Sequence, residues 1–176
     1  AAGAAAVGDG GSGGKTAAQL EEEWEFSPVK GNVVFASAID GWGFQLSAFA
    51  RIWASKLKAN PRKLREYLWG DYTFNDKNGK IERYVPGHKT MRPMFVALIL
   101  DQIYSIYDSA VLDVKPKKLV RMAKMLNLEV PDRELRPDVD PRGAARAFFR
   151  RWLPLASAVL QMAVDHMPSP DVAQRS

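Results

Sequence analysis

One short apolar segment, residues 32–38, most restricts the folds open to this chain. The segment reads NVVFASA, with Gly31 before it and Gly41 after it. An uninterrupted apolar run of this length is typical of a strand buried on both faces, as in a parallel sheet. Because the run ends in small residues and a glycine-containing loop, we expect a strand followed by a tight turn into a helix.

The remainder of the chain reads as mostly helical. Apolar side chains recur at a spacing of three or four residues between breaks made by proline and glycine. This pattern predicts helices over 47–57, 61–68, 93–112, 117–126 and from 141 onward, with a kink or restart at Pro154. Residues 71–85 predict a small hairpin around the turn NDKNG. The fold class indicated is α/β and helix-rich, with one buried strand, a small hairpin and about five helices.

Composition excludes several classes of protein. The chain has no cysteine, so neither a disulfide framework nor a thiolate metal site is available. No apolar run approaches the roughly 18–20 residues that span a bilayer. Residues 1–16 are rich in alanine and glycine, and we interpret them as a flexible linker. The 25 basic and 20 acidic residues give a charge of +5, which suits either work near phosphates or an ordinary solvated surface.

Few residues are arranged for catalysis. His88 has no second ligand at metal-binding spacing, and His166 falls at the end of a predicted helix. There is no Gly-x-Ser-x-Gly motif and no GxxxxGK[ST] phosphate loop. The sequence therefore predicts no catalytic and no metal-binding residue. Residues 36–44, ASAIDGWGF, remain open to two interpretations: a packing turn, or a loop whose main-chain N–H groups contact a purine.

Residues 31–44, GNVVFASAIDGWGF, closely resemble the guanine-contacting fifth motif of the elongation factor 2 class of translational GTPases. Further blocks follow in the order of that class: LWGDY at 68–72, PMFV at 93–96, RRWLP at 150–154 and MPSP at 167–170. Within the class, SAIDGWGF looks closest to the elongation factor-like branch that acts in ribosome assembly. The resemblance implies a P-loop GTPase fold, present here only in part.

The resemblance also implies a division of the chain. Residues 17–43 would be the end of an insertion plus the last G-domain strand, 44–138 an inserted helical subdomain, 139–168 a returning G-domain helix and 169–176 an exit linker. Trp152, Leu155 and Val159 would then pack on a sheet outside this chain and leave apolar surface exposed here. Ser37, Ala38 and Ile39 would contact guanine through the backbone.

The implied activity is GTP hydrolysis on the large ribosomal subunit, coupled to release of the anti-association initiation factor with the Shwachman–Bodian–Diamond protein, in the cytoplasm. GTP or GDP and magnesium would be held by the longer protein, and neither turnover nor nucleotide binding is expected of this chain alone. A translocation GTPase of the elongation factor 2 type, or a helical adaptor that binds protein or RNA, are the alternatives. No membrane partner is expected.

Basic residues cluster in two places that could meet ribosomal RNA. The smaller one, called the second cluster below, is formed by Arg146 and Arg150, one turn apart on a predicted helix. Phosphate contact by such clusters is independent of nucleotide sequence and sensitive to salt, and a solvated helix face is the alternative. The larger one, called the first cluster below, comprises Lys115, Lys117, Lys118, Arg121 and Lys124.

Overall fold

The computed structural model describes residues 16–76, 78–88 and 91–174, so residues 1–15 of the predicted linker lie outside the described part. The described chain is rich in helices and contains two short antiparallel hairpins. The helices are α1 (Ala17–Trp24), α2 (Leu46–Leu57), α3 (Pro61–Trp69), α4 (Asp101–Tyr107), α5 (Pro116–Met125), α6 (Pro141–Trp152), α7 (Leu155–His166) and α8 (Pro170–Ala173). The strands are β1 (Phe35–Ser37), β2 (Trp42–Phe44), β3 (Tyr72–Asn75) and β4 (Lys80–Arg83).

Local signals position the helix starts as predicted. Asn60 caps α3, its side-chain oxygen accepting from the Arg62 backbone N–H at 2.9 Å, and Pro61 occupies the first turn. Asp140 caps α6 in the same way, accepting from the Gly143 N–H at 2.8 Å. Pro154 separates α6 from α7, which confirms the predicted restart.

The predicted strand is present, but its surroundings differ from the prediction. β1 has only three residues and pairs antiparallel with β2, in the register Phe35↔Phe44 and Ser37↔Trp42. Ala36 is exposed, so within this chain β1 is not buried on both faces. Gly41 adopts φ +71° and reverses the chain into β2, a strand that the sequence did not predict, and the helix predicted over 47–57 then begins at Leu46.

The longest helical segment, residues 94–112, contains two π-helical turns. Val96–Leu100 and Asp108–Leu112 have π geometry and flank α4, so the segment confirms the helix predicted over 93–112. Its inward face supplies buried apolar side chains, among them Ile99 and Ile106. The hairpin predicted over 71–85 is confirmed by β3 and β4.

Aromatic side chains from β2, α2 and α6 meet in the centre of the core. Phe49 lies edge-on to Phe44 at 4.8 Å between ring centroids and to Trp152 at 5.7 Å. Trp152 also stacks on Phe149 at 6.3 Å. Trp152 is thus half-buried against the chain's own core, and its packing on a sheet outside this chain stays a prediction.

Helix α7 has no buried residue, unlike α6. Leu155, at its start, packs close to Gly43 of β2. Beyond that contact, large apolar side chains face outward, which confirms the expected exposure: Val159, Leu160, Val164 and Met167 are 41%, 65%, 77% and 68% exposed. No helix in the described part of the chain has the length and apolar character needed to cross a membrane.

Candidate functional site

The loop between β1 and β2, residues 38–41, is the best candidate for a ligand site. The Gly41 N–H donates to the Ser37 carbonyl at 2.9 Å, which closes the turn. Ala38 and Ile39 stand at its tip, and Ile39 is 76% exposed. Ile39 is one of several exposed large apolar side chains, so the case for a ligand site at this loop depends on its main-chain groups.

Two main-chain donors of this loop are unused. Within residues 16–76, 78–88 and 91–174, neither the Ala38 nor the Ile39 N–H donates to another group of the chain. The Ser37 hydroxyl is engaged, since it accepts from the Asp40 N–H and donates to the Asp40 carboxylate, both at 3.3 Å. The Ser37 backbone is engaged as well, because its carbonyl accepts from the Gly41 N–H and the residue pairs with Trp42 of β2. The loop offers adjacent N–H donors that a carbonyl oxygen could accept.

Asp40 links the loop to distant parts of the chain. Its Oδ2 accepts from the Tyr107 hydroxyl at 2.6 Å, and that hydroxyl accepts from Trp42 Nε1 at 2.8 Å. Arg146 of α6 places Nε 3.7 Å from Asp40 Oδ1. Tyr107 belongs to the long helical segment, 67 positions away from Asp40. The loop conformation is thus held by groups from α4 and α6 as well as by its own turn.

The Tyr107 phenol is perturbed by this environment. Burial, and then the hydrogen bond to the Asp40 carboxylate, raise the pKa of Tyr107 from 10.0 to about 12. Burial disfavours the phenolate because it removes solvation, and the carboxylate repels a second negative charge. The hydroxyl therefore remains a donor to Asp40 throughout the physiological pH range.

This network gives a prediction for Tyr107→Phe. Because the pKa is higher in the folded than in the unfolded chain, the associated stability is complete below pH 10 and is lost as pH rises from 10 to about 12. At neutral pH we expect the variant to lose about 1–2 kcal/mol, since the Trp42 and Asp40 groups lose a partner. Between pH 10 and 12, its free energy of unfolding should fall less steeply than that of the wild type.

Urea denaturation at several pH values measures this effect. Tyr104→Phe is the matched control, because Tyr104 lies on the same helix and is 59% exposed. Equal pH dependence in Tyr107→Phe and in the wild type would contradict the assignment of the perturbed phenol to Tyr107.

The second basic cluster meets the loop, which the sequence did not indicate. Arg146 approaches Asp40 as described, and Arg150 packs against Gly41, where an added Cβ would lie 3.4 Å from Arg150 Nε. Both arginines also line a cleft of about 430 Å³, together with several other residues between positions 133 and 151. Arg146 thus supports the loop from within the chain, a role distinct from the predicted RNA contact.

The first basic cluster lies on and next to α5. Lys117, Arg121 and Lys124 surround one shallow cleft together with Val120 and Met125. No carboxylate of the described chain pairs with these three cations. The other two members differ, because Lys115 pairs with Asp113 and Lys118 is exposed outside the cleft. Three of the five predicted cations are therefore brought together.

Sequence reasoning missed Asp40, Tyr107 and Arg146 as supports of the loop. Only the motif itself hinted at Asp40, and the Tyr107 contact depends on helix packing. As for metals, no group of three or more His, Cys, Asp or Glu side chains in the described ranges is placed to hold an ion.

Several known proteins are similar in sequence to this chain. Elongation factor-like GTPase 1 of Mus musculus is 45% identical over 145 residues, which are 82% of this chain and 13% of the relative. Ribosome assembly protein 1 of Schizosaccharomyces pombe is 38% identical over 151 residues, 85% of this chain and 15% of the relative. The Saccharomyces cerevisiae protein of the same name is 36% identical over 147 residues, 82% of this chain and 13% of the relative. No family model matches.

The chain therefore spans only 13–15% of the length of these relatives. What the relatives' names state concerns proteins several times longer than this chain.

Proposed function

Because this chain belongs, through the segment it shares, to the family of elongation factor-like GTPases of ribosome assembly, we propose that it works as one segment of a longer GTPase. The observation that carries this is the 36–45% identity over 82–85% of the chain. In this proposal the segment supplies the guanine contact, while the phosphate and magnesium sites belong to residues elsewhere in the longer protein.

The loop geometry supports the guanine contact. The Ala38 and Ile39 N–H groups have no partner among the described residues, whereas the Ser37 hydroxyl is held by Asp40 and the Ser37 carbonyl accepts from Gly41, so the support for this contact lies in Ala38 and Ile39. Two adjacent N–H groups suit a guanine carbonyl oxygen, because a carbonyl has two lone pairs. Adenine has an amino group at the same position, and this group is a donor that cannot accept from the two N–H groups. The loop would therefore discriminate between the purines.

The wider proposal concerns the large ribosomal subunit. GTP hydrolysis by the longer protein would be coupled, in the cytoplasm, to release of the anti-association initiation factor, with the Shwachman–Bodian–Diamond protein as partner. The three unpaired cations of α5 support contact with ribosomal RNA phosphates. Neither GDP binding nor turnover is expected of the 176-residue chain alone.

The guanine contact is tested by Ala38→Pro in the longer protein. Proline removes the Ala38 N–H and keeps a small side chain, and Ser37 is already extended, as a residue before proline must be. We expect GDP to bind about tenfold more weakly, the magnitude of one lost hydrogen bond of roughly 1.4 kcal/mol.

Ala38→Gly is the matched control, because it keeps the N–H and should bind GDP within about twofold of the wild type. Fluorescence titration with a labelled GDP measures both variants, and circular dichroism checks that each is folded. Equal affinity of the proline and glycine variants would show that Ala38 does not donate to guanine. Absence of GDP binding by the unsubstituted longer protein would overturn the proposed function itself.

A further inference from the structure

A cationic cleft lies between α2, α3, the end of α7 and the residues before β1, and we refer to it as the α2–α7 cleft. Its volume is about 450 Å³. Among its lining residues only one carries a negative charge, Asp165. The basic lining residues are Lys30, Arg51, Arg65 and His166.

Most of this positive character is not neutralised within the described chain. Lys30 pairs with Glu25 at 2.7 Å, and Asp165 accepts from Gln161 at 2.8 Å. Arg51 and Arg65 form no ion pair with the residues that the structure describes. The helices α2 and α3 thus bring two guanidinium groups to one concave surface whose lining includes one carboxylate, Asp165.

Arg65 carries a further sign of a missing partner. Its Nε is buried and has no hydrogen-bond partner within the described chain. Burial of a charged group's donor without an acceptor is costly, so native proteins rarely leave one unpaired. Because this Nε is shielded from solvent, a ligand in the cleft would meet the terminal nitrogens of Arg65 and offset the cost of its partly buried charge.

The chemistry of the lining selects the kind of ligand. A guanidinium donates through a planar fork of N–H groups that matches the oxygens of a phosphate. The uncharged polar lining comes from Gln45, Ser47 and Gln161, and His166 adds an imidazole ring. Two guanidinium groups without a carboxylate partner favour an anion that offers several oxygens at once. A phosphate group is therefore the favoured occupant.

We propose that the α2–α7 cleft binds a phosphate group, with Arg65 and Arg51 donating through the terminal nitrogens of their guanidinium groups. This site is separate from the β1–β2 loop and does not depend on the guanine contact. The phosphate can come from a small phosphate ester or from the backbone of RNA, because both present the same anionic oxygens.

The experiment follows the Arg65 Nε–H signal by nitrogen–proton NMR in the 176-residue chain. Inorganic phosphate is titrated at constant ionic strength, with chloride making up the balance. We expect a saturable shift of this signal, which Arg65→Lys identifies because lysine lacks Nε. In Arg65→Gln and in Arg51→Gln, phosphate affinity should fall about tenfold, the effect of one charge-assisted hydrogen bond.

Arg62→Gln is the matched control, since Arg62 is exposed on the same helix and does not line the cleft. It should bind phosphate as the wild type does. An Arg65 signal that phosphate moves no more than chloride does, or equal affinity in the Arg65→Gln and Arg62→Gln variants, would overturn the proposal. If Arg65→Gln does not fold, the exposed Arg51→Gln variant decides on its own.

A second titration uses a twelve-nucleotide single-stranded RNA and the same signal. Competition between RNA and inorganic phosphate supports the site and identifies the RNA backbone as its source of phosphate. Phosphate binding without any RNA effect also supports the site and assigns it to small phosphate esters. Loss of guanine binding by the longer protein would leave both results unchanged, so the two proposals fail separately.

Discussion

Replacing Phe49 by alanine is expected to lower the free energy of unfolding of this chain by about 3–5 kcal/mol. Phe49 is 1% exposed and lies edge-on to Phe44 and Trp152. The substitution removes the ring that joins α2 to β2 and to α6, and the remaining aromatic groups cannot collapse into the space without leaving their own partners. The loss is large compared with the total stability of a domain of this size.

Urea denaturation followed by circular dichroism measures this loss. Tyr104→Ala is the control, since Tyr104 is 59% exposed and its removal should change stability by less than about 0.5 kcal/mol. A loss below about 1 kcal/mol for Phe49→Ala would mean that the aromatic cluster does not form the centre of the core. The same variant should loosen the β1–β2 loop, because Phe44 holds one end of β2.

If the proposed ribosome contact includes the α5 cleft, neutralising this cleft is expected to weaken binding of the longer protein to large ribosomal subunits by about tenfold to a hundredfold. The variant replaces Lys117, Arg121 and Lys124 together by glutamine. Glutamine keeps most of the side-chain stem and a good helix propensity, so the change removes charge rather than structure. If each cation meets one phosphate, the dependence of log affinity on log salt should become less steep by roughly 2.

A matched variant separates this site from net charge. Arg62, Lys63 and Arg83 are exposed on α3 and β4, and their joint replacement by glutamine also removes three positive charges. Cosedimentation with large subunits at stepped salt compares the two variants. An equal loss of affinity in both variants would mean that only the overall charge matters. An unchanged affinity of the α5 variant would mean that α5 does not contact the ribosome.

The helices were predictable because their signals are local. Asn60–Pro61 and Asp140–Pro141 each combine a capping side chain with a proline in the first turn, and both helices begin there. Apolar spacing within 93–112 sufficed to predict the long helical segment, although not its π-helical turns. Those turns add a residue to the hydrogen-bonded ring without changing which side chains are apolar, so the pattern contains no trace of them.

The first hairpin shows where local reasoning failed. A run such as 32–38 is compatible with a central strand of a parallel sheet or with half of a hairpin, since both bury apolar side chains. Gly41 and the chain after α6 determine that the hairpin forms. The Gly43 N–H donates to the Leu153 carbonyl at 2.9 Å, and Trp42 forms a bridge with Pro154. β2 thus lies between β1 and a segment more than a hundred residues away.

The sequence by itself indicated the helices from α2 to α7, the second hairpin, and the family through ordered motifs around the 31–44 segment, whereas α1 and α8 were not predicted. Each of these depends on residues close together along the chain. Only the tertiary structure decided that Tyr107 and Arg146 hold Asp40, and that Arg51, Arg65 and His166 share one cleft. Such contacts join residues from separate elements, and their distances follow from how helices pack rather than from any spacing in the sequence. The loop could therefore be located from sequence, whereas its supports could not.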